Sequence, residues 1–359
     1  MVLSQTTAVG NQVYGNEIGT NSSASSGLGN LDGVQITQGS GNVIGGTGPG
    51  EGNLISGNRR RGISVLFSQS TNNTIAGNRI GTNHEGTASV ANEKGGIRLG
   101  LGASGNTIAS NQIAGNQLMG VTIDGATTSG NAIVSNLIGT SADGTQPLHN
   151  GSRGAIRVLS PQTYISGNVL SDGMHGVVAF RDAVDLVIRG NQIGGPSLGT
   201  PNGISLSAGA IDAWVTENEI SYNGTAVSVQ GEQNARIENN SIHDNGLGID
   251  HGGDGVNSRW TAPTILSAQI TGSQIAINYQ VDPQSAPSNS LVTVEFFLDD
   301  GNGQGQTRIA SDQYWVGQTA VVKQLTLPAN GLAAGQRIVA TSTDRDGNTS
   351  EFSISSQLS

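Results

Sequence analysis

The chain has no cysteine, so no disulfide framework staples it and neither an oxidising nor a reducing compartment is excluded. Lysine is nearly absent, with only Lys94 and Lys323 in 359 residues, and the net charge is −10. That balance argues against nucleic acid and anionic membranes as partners. Charged residues make up 12 % and aromatics 4 % of the chain. No run approaches ~18 apolar residues, so no stretch of sequence reads as a membrane-spanning helix. Nor does any stretch keep a 3.6-residue apolar period over ten or more residues, which excludes a helical solenoid. What the chain does have is glycine, 55 of them, and a recurring asparagine followed two residues later by isoleucine.

The recurrence organises everything else. Asn16-Glu-Ile-Gly-Thr, Asn78-Arg-Ile-Gly-Thr, Asn136-Leu-Ile-Gly-Thr and Asn191-Gln-Ile-Gly-Gly form one set of copies. Asn53-Leu-Ile-Ser-Gly-Asn58, Asn111-Gln-Ile-Ala-Gly-Asn116, Asn218-Glu-Ile-Ser-Tyr-Asn223 and Asn240-Ser-Ile-His-Asp-Asn245 form another, to which Asn168-Val-Leu-Ser-Asp-Gly173 belongs with Gly in place of the second Asn. From first Asn to first Asn the steps are 37, 25, 33, 25, 32, 23, 27 and 22 residues. A period of this size marks a solenoid whose core is buried only by stacking successive coils.

Each coil reads as about three short strands. A brief apolar piece precedes the Asn, as in Asn73-Thr-Ile-Ala, and a Gly-led strand follows, as in Gly62-Ile-Ser-Val and Gly96-Ile-Arg-Leu. The alternation of apolar and polar residues is that of a half-buried strand. Three such strands in ~22–25 residues, stacked strand on strand, predict a parallel β-helix. Asn tolerates left-handed backbone, and its amide offers two donors and an acceptor. At about 4.8 Å between coils, one amide can bond the next in a ladder. The long steps carry insertions after Ile-Gly-Thr (21–32, 83–95, 141–153 and 196–202), and a further one spans 47–52; they are expected along one edge.

The runs Gly41-Asn-Val-Ile-Gly-Gly-Thr, Gly52-Asn-Leu-Ile-Ser-Gly-Asn58 and Asn78-Arg-Ile-Gly-Thr resemble the repeats of large bacterial surface proteins of the right-handed parallel β-helix superfamily, which includes pectate lyases. The resemblance covers roughly residues 8–255 and implies the fold, a secreted or cell-surface location, and a carbohydrate or another surface protein as partner. Because the chain is in mid-repeat by Asn16, we expect a monomeric fragment of a longer exported protein.

The repeat stops near Asp250-His-Gly-Gly-Asp-Gly-Val-Asn257. Seven strands are expected beyond it: 264–270, 274–281, 291–298, 308–315, 320–327, 336–343 and 349–355. With their Gly, Asp and Pro turns they read as an antiparallel, immunoglobulin-like β-sandwich capping the last coil. The domains are thus 1–256, a parallel β-helix, and 257–359, the sandwich; the fold class is all-β.

Chemistry is sparsely marked. Asp344, Asp346, Asn348 and Glu351, with Asp299 and Asp300 as further candidates, have alternate spacing that suits hard oxygen coordination of calcium; an Asp-Gly-Asn turn made for backbone reasons is the plainer reading. Aligning the Gly-led strands places Gln35, Ser64, Arg98, Thr122, Arg157, Ala179, Ser205 and Ser228 outward. This row lacks the regular Thr ladder of an ice-binding face. Arg157, His175, Arg181 and Asp182 are the candidate catalytic set, since acting on an acidic polysaccharide requires a cation for the uronate and a base for the C5 proton. The alternative is a surface charge network of little energetic weight. His243-Asp244 and Asp250-His251 lack a third ligand for a metal. The solenoid has only six aromatics (Tyr14, Phe67, Tyr164, Phe180, Trp214, Tyr222), several of them expected to be buried, which leaves a sugar-stacking groove poorly supplied. The sequence therefore favours a non-catalytic surface or adhesive module, a rigid scaffold or glycan-binding face, over a polysaccharide lyase, hydrolase or epimerase.

Overall fold

The computed structural model describes residues 1–21, 28–151, 153–231, 234–252, 261–283, 289–317 and 319–359. Three parallel sheets stack coil on coil. The first has ten strands, from Val2–Ser4 to Leu247–Asp250; the second has nine, from Gln12–Val13 to Ala235–Glu238; the third has nine, from Glu17–Ile18 to Ser241–His243. Their inward residues merge into one core in which Ile44, Ile75, Ile108 and Ile133 stack in one column and Ile55, Ile80, Ile113 and Ile138 in another, all fully buried. This is the predicted parallel β-helix, and its turns follow the repeat residue by residue.

The ladder is complete. Asn16, Asn53, Asn78, Asn111, Asn136, Asn168, Asn191, Asn218 and Asn240 form one row in which each Nδ2 donates to the next coil's Oδ1 at 2.8–3.0 Å. The same Oδ1 also accepts the backbone N–H of the Asn one rung earlier. A second row runs Asn11, Asn42, Asn73, Asn106, Asn131. A third runs Asn58, Asn92, Asn116, Asn150 and then Asp172, which holds the rung assigned above to Gly173. Asn92 and Asn150 end insertions, so the long coils also fill this row. The left-handed backbone falls on the residue before the ladder Asn, at Gly77, Ser110, Ser135, Gly167, Gly190 and Glu217, rather than on the Asn itself. Two insertions lie side by side, with Ala142 N–H bonded to Gly86 C=O, as their common starting motif demands.

One glycine place is steric. A Cβ on Gly33, Gly62, Gly96, Gly120, Gly176 or Gly203 would lie 2.5–3.0 Å from the Cγ2 of Ile55, Ile80, Ile113, Ile138, Ile193 or Ile220 respectively. Ala occupies this place at 155, where the residue on the third sheet is Leu170, whose Cβ bears no methyl; it also does so at 226, where the third-sheet residue is Ile242 and the last coil takes Ala beside that methyl.

Strand register corrects the outward row at one position. Arg157 pairs with Val178, which is half-buried, whereas Ala179 is fully buried in the core. The Gly154 strand carries an extra residue before its apolar pair, which shifts the alignment by one.

The C-terminal part has two antiparallel sheets, which fits an immunoglobulin-like module. One contains Thr264–Thr271, Gln274–Gln280 and Lys323–Pro328; the other contains Gly305–Val316, Ser290–Asp299, Arg337–Thr343 and Ser356–Gln357. Tyr279, Phe296 and Tyr314 pack edge to face and tilted between them, with centroids 5.0 and 5.7 Å apart. The strand expected at 349–355 does not form. Instead Thr349 bonds the backbone of Ala235 and Ile237, and Phe352 covers Gly248, so the segment caps the solenoid. The boundary at 256/257 lies outside the described residues. No helix among the described residues is long and apolar enough to cross a membrane.

Candidate functional site

The four residues proposed for catalysis sit on the first sheet but do not converge. Arg157 is the outward residue of Ile156–Leu159, two rungs from Arg98. His175 opens the strand His175–Ala179, while Arg181 and Asp182 lie in the turn beyond its other end. The length of the strand His175–Ala179, roughly 13 Å from first residue to last, lies between His175 and that turn. Arg181 has φ of 60° and lays its guanidinium over the Phe180 ring at 5.7 Å. Burial lowers the basicity of His175, and its Nδ1 has no partner. Arg157 is likewise lowered, first by burial, and is then pulled between Asp124 and the like charges of Arg153, Arg181 and Arg98. Asp124 is taken by Arg98 in a bidentate pair at 2.9 Å. The arrangement is an arginine-rich strip with no base held against a cation.

The calcium candidates are also apart in role. Asp344 accepts both the backbone and side-chain N–H of Asn348, which closes the hairpin. Glu351 accepts His251 N–H, and Asp346 lines a cleft against the solenoid. Asp299 and Asp300 bind the N–H groups of their own loop, from Gly301 to Gln304. His243 bonds its neighbour Asp244, and His251 Nε2 meets Thr349 C=O. Among the described residues no three His, Cys, Asp or Glu side chains come together to hold a metal.

The aromatics correct the sequence reading. Tyr14, Phe67, Tyr164, Trp214 and Tyr222 are each 37–44 % exposed. They fall in turns or on outward strand positions, which a count of apolar residues cannot separate from the core. Register puts Tyr164, Val187, Trp214 and Arg236 in one outward row of the second sheet. Tyr164 and Trp214 are therefore two rungs apart, about 10 Å. Trp214 and Arg236 line a cleft of about 390 Å³ with Asp212, Asn234 and Glu238, and Asp346-Gly347 of the C-terminal part closes it.

The polar groups of this cleft hold one another in place. Trp214 Nε1 donates to Glu238 at 3.1 Å, and Arg236 pairs with the same carboxylate at 3.6 Å. Asn234 donates to Asp212 at 2.8 Å. An exposed indole face beside a fixed Arg, Asn and carboxylates suits a ligand with one apolar face and many hydroxyls.

Residues 140–281 match the family model described as periplasmic copper-binding protein, NosD. No curated protein matches the chain. Among solved structures, the enzymatically active domain of tailspike protein 2 from bacteriophage CBA120 is 11 % identical, with 97 % of this chain and 71 % of that chain covered and a TM-score of 0.39. The Dettilon tailspike protein is 14 % identical, with 82 % and 74 % covered and a TM-score of 0.38. At such scores the likeness adds no argument, and the architecture stands on this chain's own strand pairing. Copper does not fit the residues present. The chain lacks cysteine, the matched region's His243 is bonded to Asp244 and its His251 to Thr349, and among the described residues no three His, Cys, Asp or Glu side chains come together there.

Proposed function

We propose that this chain is an extracytoplasmic, glycan-binding β-helix module, with its binding face on the second sheet at Tyr164, Trp214 and Arg236. The observation that carries this reading is the 390 Å³ cleft floored by a 41 %-exposed tryptophan and rimmed by fixed polar side chains. A pyranose presents an apolar face to such an indole and hydroxyls to Arg, Asn and carboxylate groups. The periplasmic description of the matched family supports an extracytoplasmic location. The rigid solenoid supports binding by a preformed surface, with little ordering cost.

The test is calorimetric titration with a panel of neutral oligosaccharides, parent against Trp214→Ala. Loss of the stacking surface is expected to weaken binding about tenfold or more. Equal affinity in both proteins, or no binding of any oligosaccharide at millimolar concentration, defeats the proposal.

A second reading draws on Asp212, Glu238 and Asp346 in the same cleft, since glycoside hydrolysis employs two carboxyl groups. Release of reducing ends or of unsaturated products from the bound glycan would establish it. Glu238, already engaged by Trp214 and Arg236, argues for a structural use of that carboxylate.

A further inference from the structure

A second concavity lies on a different face. On the third sheet Glu17, Leu54, Arg79, Gln112 and Leu137 form one outward row. Two clefts, about 550 and 300 Å³, meet along it and share Gly77, Arg79 and Ser110, so that Arg79 stands between two halves of one trough. Four inter-strand steps make it about 19 Å long.

The insertion at 47–52, set apart in the sequence by its Pro and glycines, builds one wall. Its own acid is spent internally, because Glu51 accepts the N–H of Gly48 at 2.9 Å. The wall sits so close that a Cβ on Gly77 would strike Gly46 C=O, so peptide groups rather than side chains face much of the trough. At the far end of the row Glu17 is paired with His84 at 3.4 Å. Gln112 spends its Nε2 on Gly86 and Thr140 carbonyls and leaves a buried Oε1 without a partner.

Arg79 is the group with nothing to answer it. No carboxylate of the described residues lies within ion-pair distance of it, whereas Arg60, Arg98, Arg189 and Arg236 of the solenoid each have one. A planar guanidinium fork in a trough of peptide donors and acceptors recognises a planar carboxylate carried on a hydroxylated body. A polyanion such as nucleic acid is excluded by a single cation on a chain of charge −10. No exposed aromatic lines the trough, so a stacked neutral sugar is not what it selects.

We propose that this trough is a second, separate binding site, for a carboxylate-bearing saccharide unit anchored bidentately by Arg79. The saccharide part rests on the glycan-binding reading above; the carboxylate part does not.

The experiment uses the whole chain and trigalacturonate as probe, with its methyl ester as the neutral control, titrated by calorimetry at two salt concentrations. Arg79→Ala is expected to cost at least fivefold to tenfold in affinity for the acid form and nothing for the ester. Arg79→Lys should recover only part of the loss. Affinity for the acid should fall with added salt, and Trp214→Ala should leave it unchanged. Near-UV circular dichroism confirms folding, which an outward side chain should not disturb. If Arg79→Ala binds the acid as tightly as the parent, the trough proposal fails. If Trp214→Ala alone abolishes that binding, the acid sits in the other cleft, and again the trough proposal fails. If the acid binds neither protein at millimolar concentration the trough proposal fails, while neutral binding lost on Trp214→Ala would still uphold the first site.

Discussion

Gln304 occupies the rung after Asn245. Its Oε1 accepts Asn245 N–H at 3.2 Å and Nδ2 at 2.9 Å, and its own Nε2 returns a bond to Asn245 C=O. Asn245 in turn accepts from Asn223 Nδ2, so this run of amides ends on a side chain from the C-terminal part, one methylene longer, held out by a loop that Asp299 and Asp300 pin through four N–H groups.

Gln304→Ala should strand the backbone N–H and C=O of Asn245 at the edge of the core, while its Nδ2 keeps the carbonyls of Ile220 and His243. A cost of about 2–3 kcal/mol in urea unfolding is expected, with faster amide exchange at Asn245 than at Asn223. Gln304→Glu keeps the acceptors and loses the returned bond, so it should fall between the two.

Within the solenoid, Asn111 serves as a wholly buried rung whose Oδ1 accepts from Asn78 and whose Nδ2 donates to Asn136 and to two carbonyls. Asn111→Ala should destabilise by about 3 kcal/mol or more, because it leaves buried donors unpaired and opens a void. An apolar residue of equal volume, Asn111→Leu, should do no better. If either is neutral, the ladder is ornament and not support.

Asp172 tests the same row through pH. Burial raises its carboxyl to about 8, against the hydrogen bonds from Gly173 and Asn150 that oppose the shift. The folded form therefore keeps its proton where the unfolded chain has lost it. Stability should fall as pH rises from about 4 to about 8, by up to about 1.4 kcal/mol per unit, and level off above. Asp172→Asn should flatten this slope and leave the variant more stable than the parent at pH 8.5, as read by thermal unfolding across the range.

Leu170 and Ala155 are coupled by shape. Leu170→Ile, ordinarily a mild exchange, introduces the Cβ methyl that every glycine-led coil pairs with Gly, and should cost about 1–3 kcal/mol. Ala155→Gly in that background should recover most of it. An additive double-mutant cycle would refute the pairing.

Much of this was legible in the chain. The Asn steps and the Gly-led strands define coil length, the three strands and the principal ladder, because each coil repeats one solution to one packing problem. The rungs at Asn92 and Asn150 were not legible, since each follows an insertion of irregular length that hides its phase. Asp172 was passed over for Gly173 because an acid at an amide's place is counter-intuitive until its burial is seen. The cleft at Trp214 was missed because it needs Asp346 from another part of the chain, and the exposure of an aromatic depends on which parity of the strand it occupies. His175 and Arg181 entered one candidate set because sequence separation says nothing of which end of a strand each occupies.

The amide rows point one way: every Nδ2 faces the coil that follows and every Oδ1 the coil that came before. Coils are therefore interchangeable parts. Removing 111–135 would bring Asn78 against Asn136, donor to acceptor, and a duplicated stretch would seat itself by the same rule. The distance between the trough at Arg79 and the cap is thus a quantity that gene duplication or slippage in the coils between them can reset in whole rungs, whereas the cleft at Trp214, which Asp346-Gly347 of the cap closes, stays fixed to the last coils.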